Sequence, residues 1–149
     1  KMGWASGPAA LVDAVMGAKQ FLSYTSGAPF QPALAAALAL PDTYFSGFAA
    51  QLQAQRDQLC DGLAAAGFEV FVPEGTYFVT TDILPWGFTD GAEFCRALPE
   101  LAGVVAIPHQ AFYDDIEAGR PLVRWAFCKQ PEVLAEASRR LLAARSRLA

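Results

Sequence analysis

The hydrophobic period of this chain changes at Gly67, from a helical repeat before it to a two-residue repeat after it, which excludes an all-helical or an all-strand fold. Upstream, Phe45, Phe48, Leu52, Leu59 and Leu63 fall on one face at three- and four-residue steps, while Gln51, Gln53, Arg56 and Asp57 sit elsewhere. The spacing predicts one long amphipathic helix over 42–66, stopped by Gly67 at its C′ position. Downstream, Phe68 to Val72 and Thr76 to Thr81 read as two strands joined at Pro73-Glu74-Gly75, a β-hairpin. Asp90-Gly91-Ala92-Glu93 has capping-box spacing and predicts a short helix over roughly 91–98. Gly103 to Ile107 reads as a buried strand, Asp114 to Pro121 as a polar loop and Leu122 to Cys128 as a last strand. Pro131 then opens a terminal helix with an inward stripe of Leu134, Ala137, Leu141 and Leu148. The fold class expected for 67–149 is therefore α+β in the order ββαββα.

Before the long helix, residues 8–24 carry Leu11, Val12, Val15, Met16 and Leu22 at helical spacing, and an alanine-rich run from Pro32 to Leu40 favours helix as well. The 149 residues are 54% hydrophobic and 17% charged, which excludes a disordered segment, and no apolar run reaches the roughly 20 residues of a membrane span. A net charge of −4 argues against a nucleic-acid-binding surface. Cys60, Cys95 and Cys128 are odd in number and widely spaced, so a disulfide framework is not expected and a reducing, cytoplasmic setting fits best. The opening, Lys1-Met2-Gly3-Trp4, has no signal segment and reads as the interior of a longer chain.

Arg124 stands in the middle of the strand Leu122-Val123-Arg124-Trp125-Ala126-Phe127-Cys128, on the face of Leu122, Ala126 and Cys128 and opposite Val123, Trp125 and Phe127. A guanidinium cannot shed its proton to escape an enclosed site, and its planar fork matches a carboxylate bidentately. Three readings follow: an internal salt bridge, an arginine on the solvent face of an edge strand, or a receptor for a ligand carboxylate. His109 is the sole histidine, which excludes a multi-histidine metal site, and it reads as a loop residue. The arginines at 139, 140, 145 and 147 suit the C-terminal dipole end of the last helix and a solvated face.

Lys1-Met2-Gly3-Trp4-Ala5-Ser6-Gly7-Pro8, the stretch Lys19 to Pro32, Pro73-Glu74-Gly75-Thr76-Tyr77-Phe78, Val105-Ala106-Ile107-Pro108 and Leu122 to Lys129 occur in the same order in another group of proteins. Together they resemble the C-terminal part of class I/II aminotransferases, the pyridoxal-phosphate enzymes of fold type I. Within that family the chain is similar to the branch of kynurenine, methionine and N-succinyldiaminopimelate aminotransferases, and Ser26-Gly27-Ala28-Pro29-Phe30-Gln31-Pro32 points to the last of these.

The resemblance implies roles residue by residue. Arg124 matches the arginine that grips the substrate α-carboxylate, and Lys1 the basic residue that contacts the phosphate of pyridoxal 5'-phosphate. Tyr24 matches an aromatic that reaches the active site of the other subunit, implying a homodimer, and Tyr77 a position on the substrate side of the cleft. It also implies a remnant of the cofactor-binding large domain over 1–41, a connecting helix over 42–66 and the small domain over 67–149. The family's Schiff-base lysine precedes the position of Lys1, so these residues alone are expected to be inactive, the parent exchanging an amino group between an amino acid and a 2-oxo acid. The alternatives are a non-catalytic ligand-binding or interaction module derived from the small domain, and a β-lyase on the same scaffold.

Overall fold

The computed structural model describes residues 2–25 and 27–148, the side chain of Leu148 excepted. The chain divides into two compact units, Lys1–Ser46 and Gly47–Ala149. The first contains helices α1 (Ala9–Leu22) and α2 (Phe30–Leu38) and the start of α3 (Asp42–Ala65). The helix expected over 8–24 forms as α1, and neither α1 nor α2 has a buried residue, so Leu11, Val15, Met16 and Leu22 are exposed. Two short helices have too little apolar surface between them to bury either stripe.

In the second unit α3 ends as its composition dictates. Gly67 takes the left-handed conformation (φ 85°), its N–H donates to the carbonyl of Ala64, and the N–H of Phe68 donates to that of Leu63. This is the double bond pattern that satisfies the last orphan carbonyls of a helix. The face predicted for α3 is divided along its length: Leu59 and Leu63 are buried, Leu52 is half-buried, and Phe45 and Phe48 are exposed.

The chain then forms β1 (Glu69–Phe71), β2 (Phe78–Asp82), α4 (Gly91–Ala102), β3 (Ile107–Pro108), a one-turn α5 (Ile116–Gly119), β4 (Leu122–Ala126) and α6 (Pro131–Leu148). The strands make one antiparallel sheet in the order β1-β2-β4-β3. Register decides which side chains share a face: Val79 and Thr81 of β2 stand opposite Trp125 and Val123 of β4, and all four are buried. They pack with Leu59 and Leu63 of α3, Phe94 and Leu98 of α4, and Leu134 and Leu141 of α6 in one core. Its two buried indoles are both hydrogen-bonded, Trp125 Nε1 donating to Thr81 Oγ1 (2.9 Å) and Trp86 Nε1 to the carbonyl of Ala66 (3.1 Å). The other sheet face, with Phe78, Thr80 and Asp82 opposite Ala126, Arg124 and Leu122, is half-buried.

Helix α4 starts where expected. Asp90 Oδ1 accepts from the N–H groups of Ala92 (2.9 Å) and Glu93 (3.0 Å), and these bonds hold the Asp90 carboxyl below the usual carboxylate range. It runs past the predicted end at Leu98 through Pro99 to Ala102, because burying Leu98 and Ala102 outweighs the one backbone bond that proline forfeits. Gly103 is its left-handed cap (φ 64°) and leaves the strand expected from there to Ile107. Residues 103–106 are irregular, Val105 is 76% exposed, and only Ile107 and Pro108 pair with β4. The loop expected over 114–121 holds α5, capped by Asp115. In α6, Leu134, Leu141 and Ala144 are buried and Ala137 is half-buried, while the side chain of Leu148 lies outside the described residues.

The cysteines sit in graded environments. Burial pushes the Cys95 thiol up to about 11 and raises that of the buried Cys60, whereas Cys128 is exposed. With about one thiolate in a thousand at pH 8, Cys95 is a poor nucleophile. Iodoacetamide at that pH is expected to label Cys128 first, and peptide mass mapping that found Cys95 labelled equally fast would contradict the burial argument.

Candidate functional site

The half-buried face of the sheet carries the arginine singled out by its position. Arg124 lies on β4, an interior strand flanked by β2 and β3, so the edge-strand reading does not apply. It forms no ion pair among the described residues, so the salt-bridge reading has no partner either, and its Nε is buried without a hydrogen bond. The guanidinium is held by rings. Its central carbon lies 4.2 Å from the centroid of Phe78 and 4.0 Å from that of Phe112. Aromatic faces attract a cation without consuming its N–H donors, so the charge is positioned and its fork stays available for a carboxylate.

Each element delivers its residue for a local reason. Phe78 and Thr80 are alternate residues of β2 and therefore share the face of Arg124, with Thr80 its direct cross-strand partner. Pro108 ends the pairing of β3, and the chain folds into a 3-10 turn over His109–Phe112. That turn carries Phe112 onto the guanidinium and sets His109 Nε2 2.9 Å from Thr80 Oγ1. Burial first, and the charge of Arg124 second, hold the His109 imidazole below its usual value. His109, read from sequence as a loop residue, thus belongs to an ordered turn against the sheet.

Tyr77 immediately precedes β2 and its ring is 4.5 Å from that of Phe78. It lines a recess of about 430 Å³ with Phe48, Leu52 and Gln55, while the adjacent Phe78 takes the arginine. The preceding Thr76 adopts a positive φ of 63°, a costly conformation for a β-branched residue that tends to be kept where neighbouring side chains must be aimed. Tyr24 belongs to the first unit, is 75% exposed at φ 52°, and accepts a hydrogen bond from Lys19 Nζ at its carbonyl (2.5 Å). Lys1 lies outside the described residues.

Comparison with known proteins sets this arrangement in context. The family model for aminotransferase class I and II matches residues 1–141. The chain belongs to that family. It is 48% identical over 149 residues to a protein of Mycobacterium tuberculosis named a probable N-succinyldiaminopimelate aminotransferase, with 95% of this chain and 38% of that protein covered. It is 30% identical over 141 residues to the methionine aminotransferase of Escherichia coli, with 95% of this chain and 36% of that protein covered. Among solved structures, the N-succinyldiaminopimelate aminotransferase of M. tuberculosis superposes with a TM-score of 0.87 at 49% identity, covering 95% of this chain and 37% of that one. The chain thus spans well under half the length of the aminotransferases it matches.

Aminotransferases of this class use pyridoxal phosphate, and the described residues fit its site only in part. A guanidinium with an unpaired, buried Nε suits the substrate side. Of the described lysines, Lys19 is engaged by the Tyr24 carbonyl and Lys129 is exposed beyond β4, while Lys1 lies outside the described residues.

Proposed function

We propose that the protein carrying this chain transfers an amino group between N-succinyl-LL-2,6-diaminopimelate, or a closely similar amino acid, and a 2-oxo acid, using pyridoxal 5'-phosphate anchored by residues of the longer protein. The observation that carries this reading is Arg124, a guanidinium clamped between Phe78 and Phe112 with no acidic partner among the described residues. The named relatives support the choice of substrate. In this reading Arg124 receives the substrate α-carboxylate, Tyr77 borders the substrate, and Lys1 contacts the cofactor phosphate. The small domain over 67–149, following the large-domain remnant over 1–41 and the connecting helix over 42–66, closes to exclude water from the reacting centre. Tyr24, exposed as it is, supports an active homodimer in which it reaches the second subunit's cleft. No helix among the described residues is long and apolar enough to cross a membrane; the cytoplasmic setting is proposed from the odd, widely spaced cysteines.

The test supplies the protein carrying this chain with pyridoxal phosphate, N-succinyl-LL-2,6-diaminopimelate and 2-oxoglutarate. Glutamate is expected to appear in step with loss of the amino donor, followed by mass spectrometry. A parallel assay supplies an S-substituted cysteine, in which the Cβ–S bond can break: release of the thiol, ammonia and pyruvate there, with no glutamate from the first assay, would replace transamination by β-elimination, and neither set of products would leave only the binding-module reading.

A further inference from the structure

The carboxylate reading leaves one polar pair without a task. Thr80 is the cross-strand partner of Arg124, and its hydroxyl lies 2.9 Å from Nε2 of His109, the residue that opens the turn ending at Phe112. This hydrogen bond therefore runs from the strand beside the guanidinium to the segment that covers it. The turn is braced on its other side by α5. A β-carbon added at Gly119 would sit 3.0 Å from the ring of Tyr113 and 3.1 Å from the Cα of Gln110, so α5 packs tightly on the turn at a glycine and a larger residue would have to push it away by a few tenths of an ångström. The imidazole is also edge-on to the rings of Phe112, at 6.5 Å between centroids, and Tyr113, at 5.9 Å.

We propose that Thr80 and His109 are positioning residues for the Arg124 receptor, their hydrogen bond holding the His109–Phe112 turn against the sheet so that Phe112 stays over the guanidinium. The inference rests on the reading of Arg124 as the carboxylate receptor. Phe112 is itself exposed, so burial contributes little to keeping its ring in place, and a directional bond three residues earlier in a tight turn does what packing cannot. A neutral imidazole suits this role, since it either accepts from the hydroxyl or donates to it, whereas an imidazolium would bring a second positive charge beside Arg124.

The test uses the full protein loaded with pyridoxal phosphate. Thr80→Val and His109→Phe each remove the bond and keep the shape of the side chain, and Thr80→Ser retains the hydroxyl. Losing one such hydrogen bond corresponds to about a 3- to 10-fold change in affinity. Because the bond acts on the receptor and not on the reacting atoms, KM for the amino donor is expected to rise by that factor in Thr80→Val and His109→Phe with kcat unaltered, and Thr80→Ser to restore it. A second readout needs no turnover. The His109 ring resonances are assigned in the wild-type NMR spectrum by their absence from that of His109→Phe. Succinate is expected to shift them in wild type and to shift them less at equal concentration in Thr80→Val. Wild-type KM in both bond-breaking variants and an undiminished succinate response in Thr80→Val, alongside an impaired Arg124→Gln control, would overturn the inference and leave the receptor standing. A normal Arg124→Gln control would take both down.

Discussion

Replacing Arg124 by glutamine in the intact enzyme is expected to lower kcat/KM for the amino donor by roughly 30- to 5,000-fold, the equivalent of about 2–5 kcal/mol for removing one partner of an enclosed, hydrogen-bonded charge pair. The loss should fall on the ligand and not on the fold. Arg124 pairs with no acidic side chain among the described residues, so its removal strands no buried carboxylate, and the stability lost is that of the ring contacts to Phe78 and Phe112, about 0.5–2 kcal/mol. Arg124→Lys should fall between, because an ammonium keeps the charge and loses the fork. Cofactor absorbance should be unchanged in all three proteins. His109 offers a further check: Arg124 helps to hold its imidazole low, so its pKa should rise in the glutamine variant. Since the folded-state value lies below the unfolded one, His109 penalises the native state as pH falls below 6.5 and is without effect above it. Arg124→Gln should therefore lose less stability than wild type on acidification. An unchanged kcat/KM would remove Arg124 from the site.

Arg124 was legible because a two-residue period fixes a face, and a permanent charge on a strand otherwise made of apolar residues needs an explanation. What holds it was not. Phe78 stands beside Arg124 only through a register that pairs Thr80 with Arg124, and Phe112 only through a turn that brings residues 109–112 back over the sheet. The resemblance points to Tyr77, and which of the adjacent Tyr77 and Phe78 rings meets the guanidinium depends on the register of β2 with β4. The overlong strand from Gly103 has a similar origin. The same glycine that reads as a strand start is the stop signal of α4, and the two uses are indistinguishable before the helix is known to pass through Pro99. The Asp90 cap and the Gly67 stop were legible for the opposite reason, since their bonds close within a few residues.

The largest stability effect is expected at Phe94. It is fully buried on α4, and its ring meets those of Phe68, Trp86, Phe88 and Trp125 edge to face at centroid distances of 6.0, 5.9, 5.2 and 6.4 Å. Phe68 is in turn stacked on Trp86 at 4.5 Å, so the ring of Phe94 ties the helix to both the hairpin side and the β4 side of one aromatic cluster. Phe94→Ala should cost about 3–5 kcal/mol, the range for a phenyl group deleted from a packed core, because rings locked to one another cannot collapse into the space left behind. Phe94→Leu, which refills most of that volume, should cost clearly less. A denaturant titration followed by tryptophan fluorescence reads the cluster directly, since Trp86 and Trp125 are both buried against Phe94 while Trp4 is exposed. The midpoint should fall at constant slope in the leucine variant. A drop of less than about 1 kcal/mol for alanine would mean that the cluster repacks around the gap, and that the sheet behind Arg124 is softer than its burial implies.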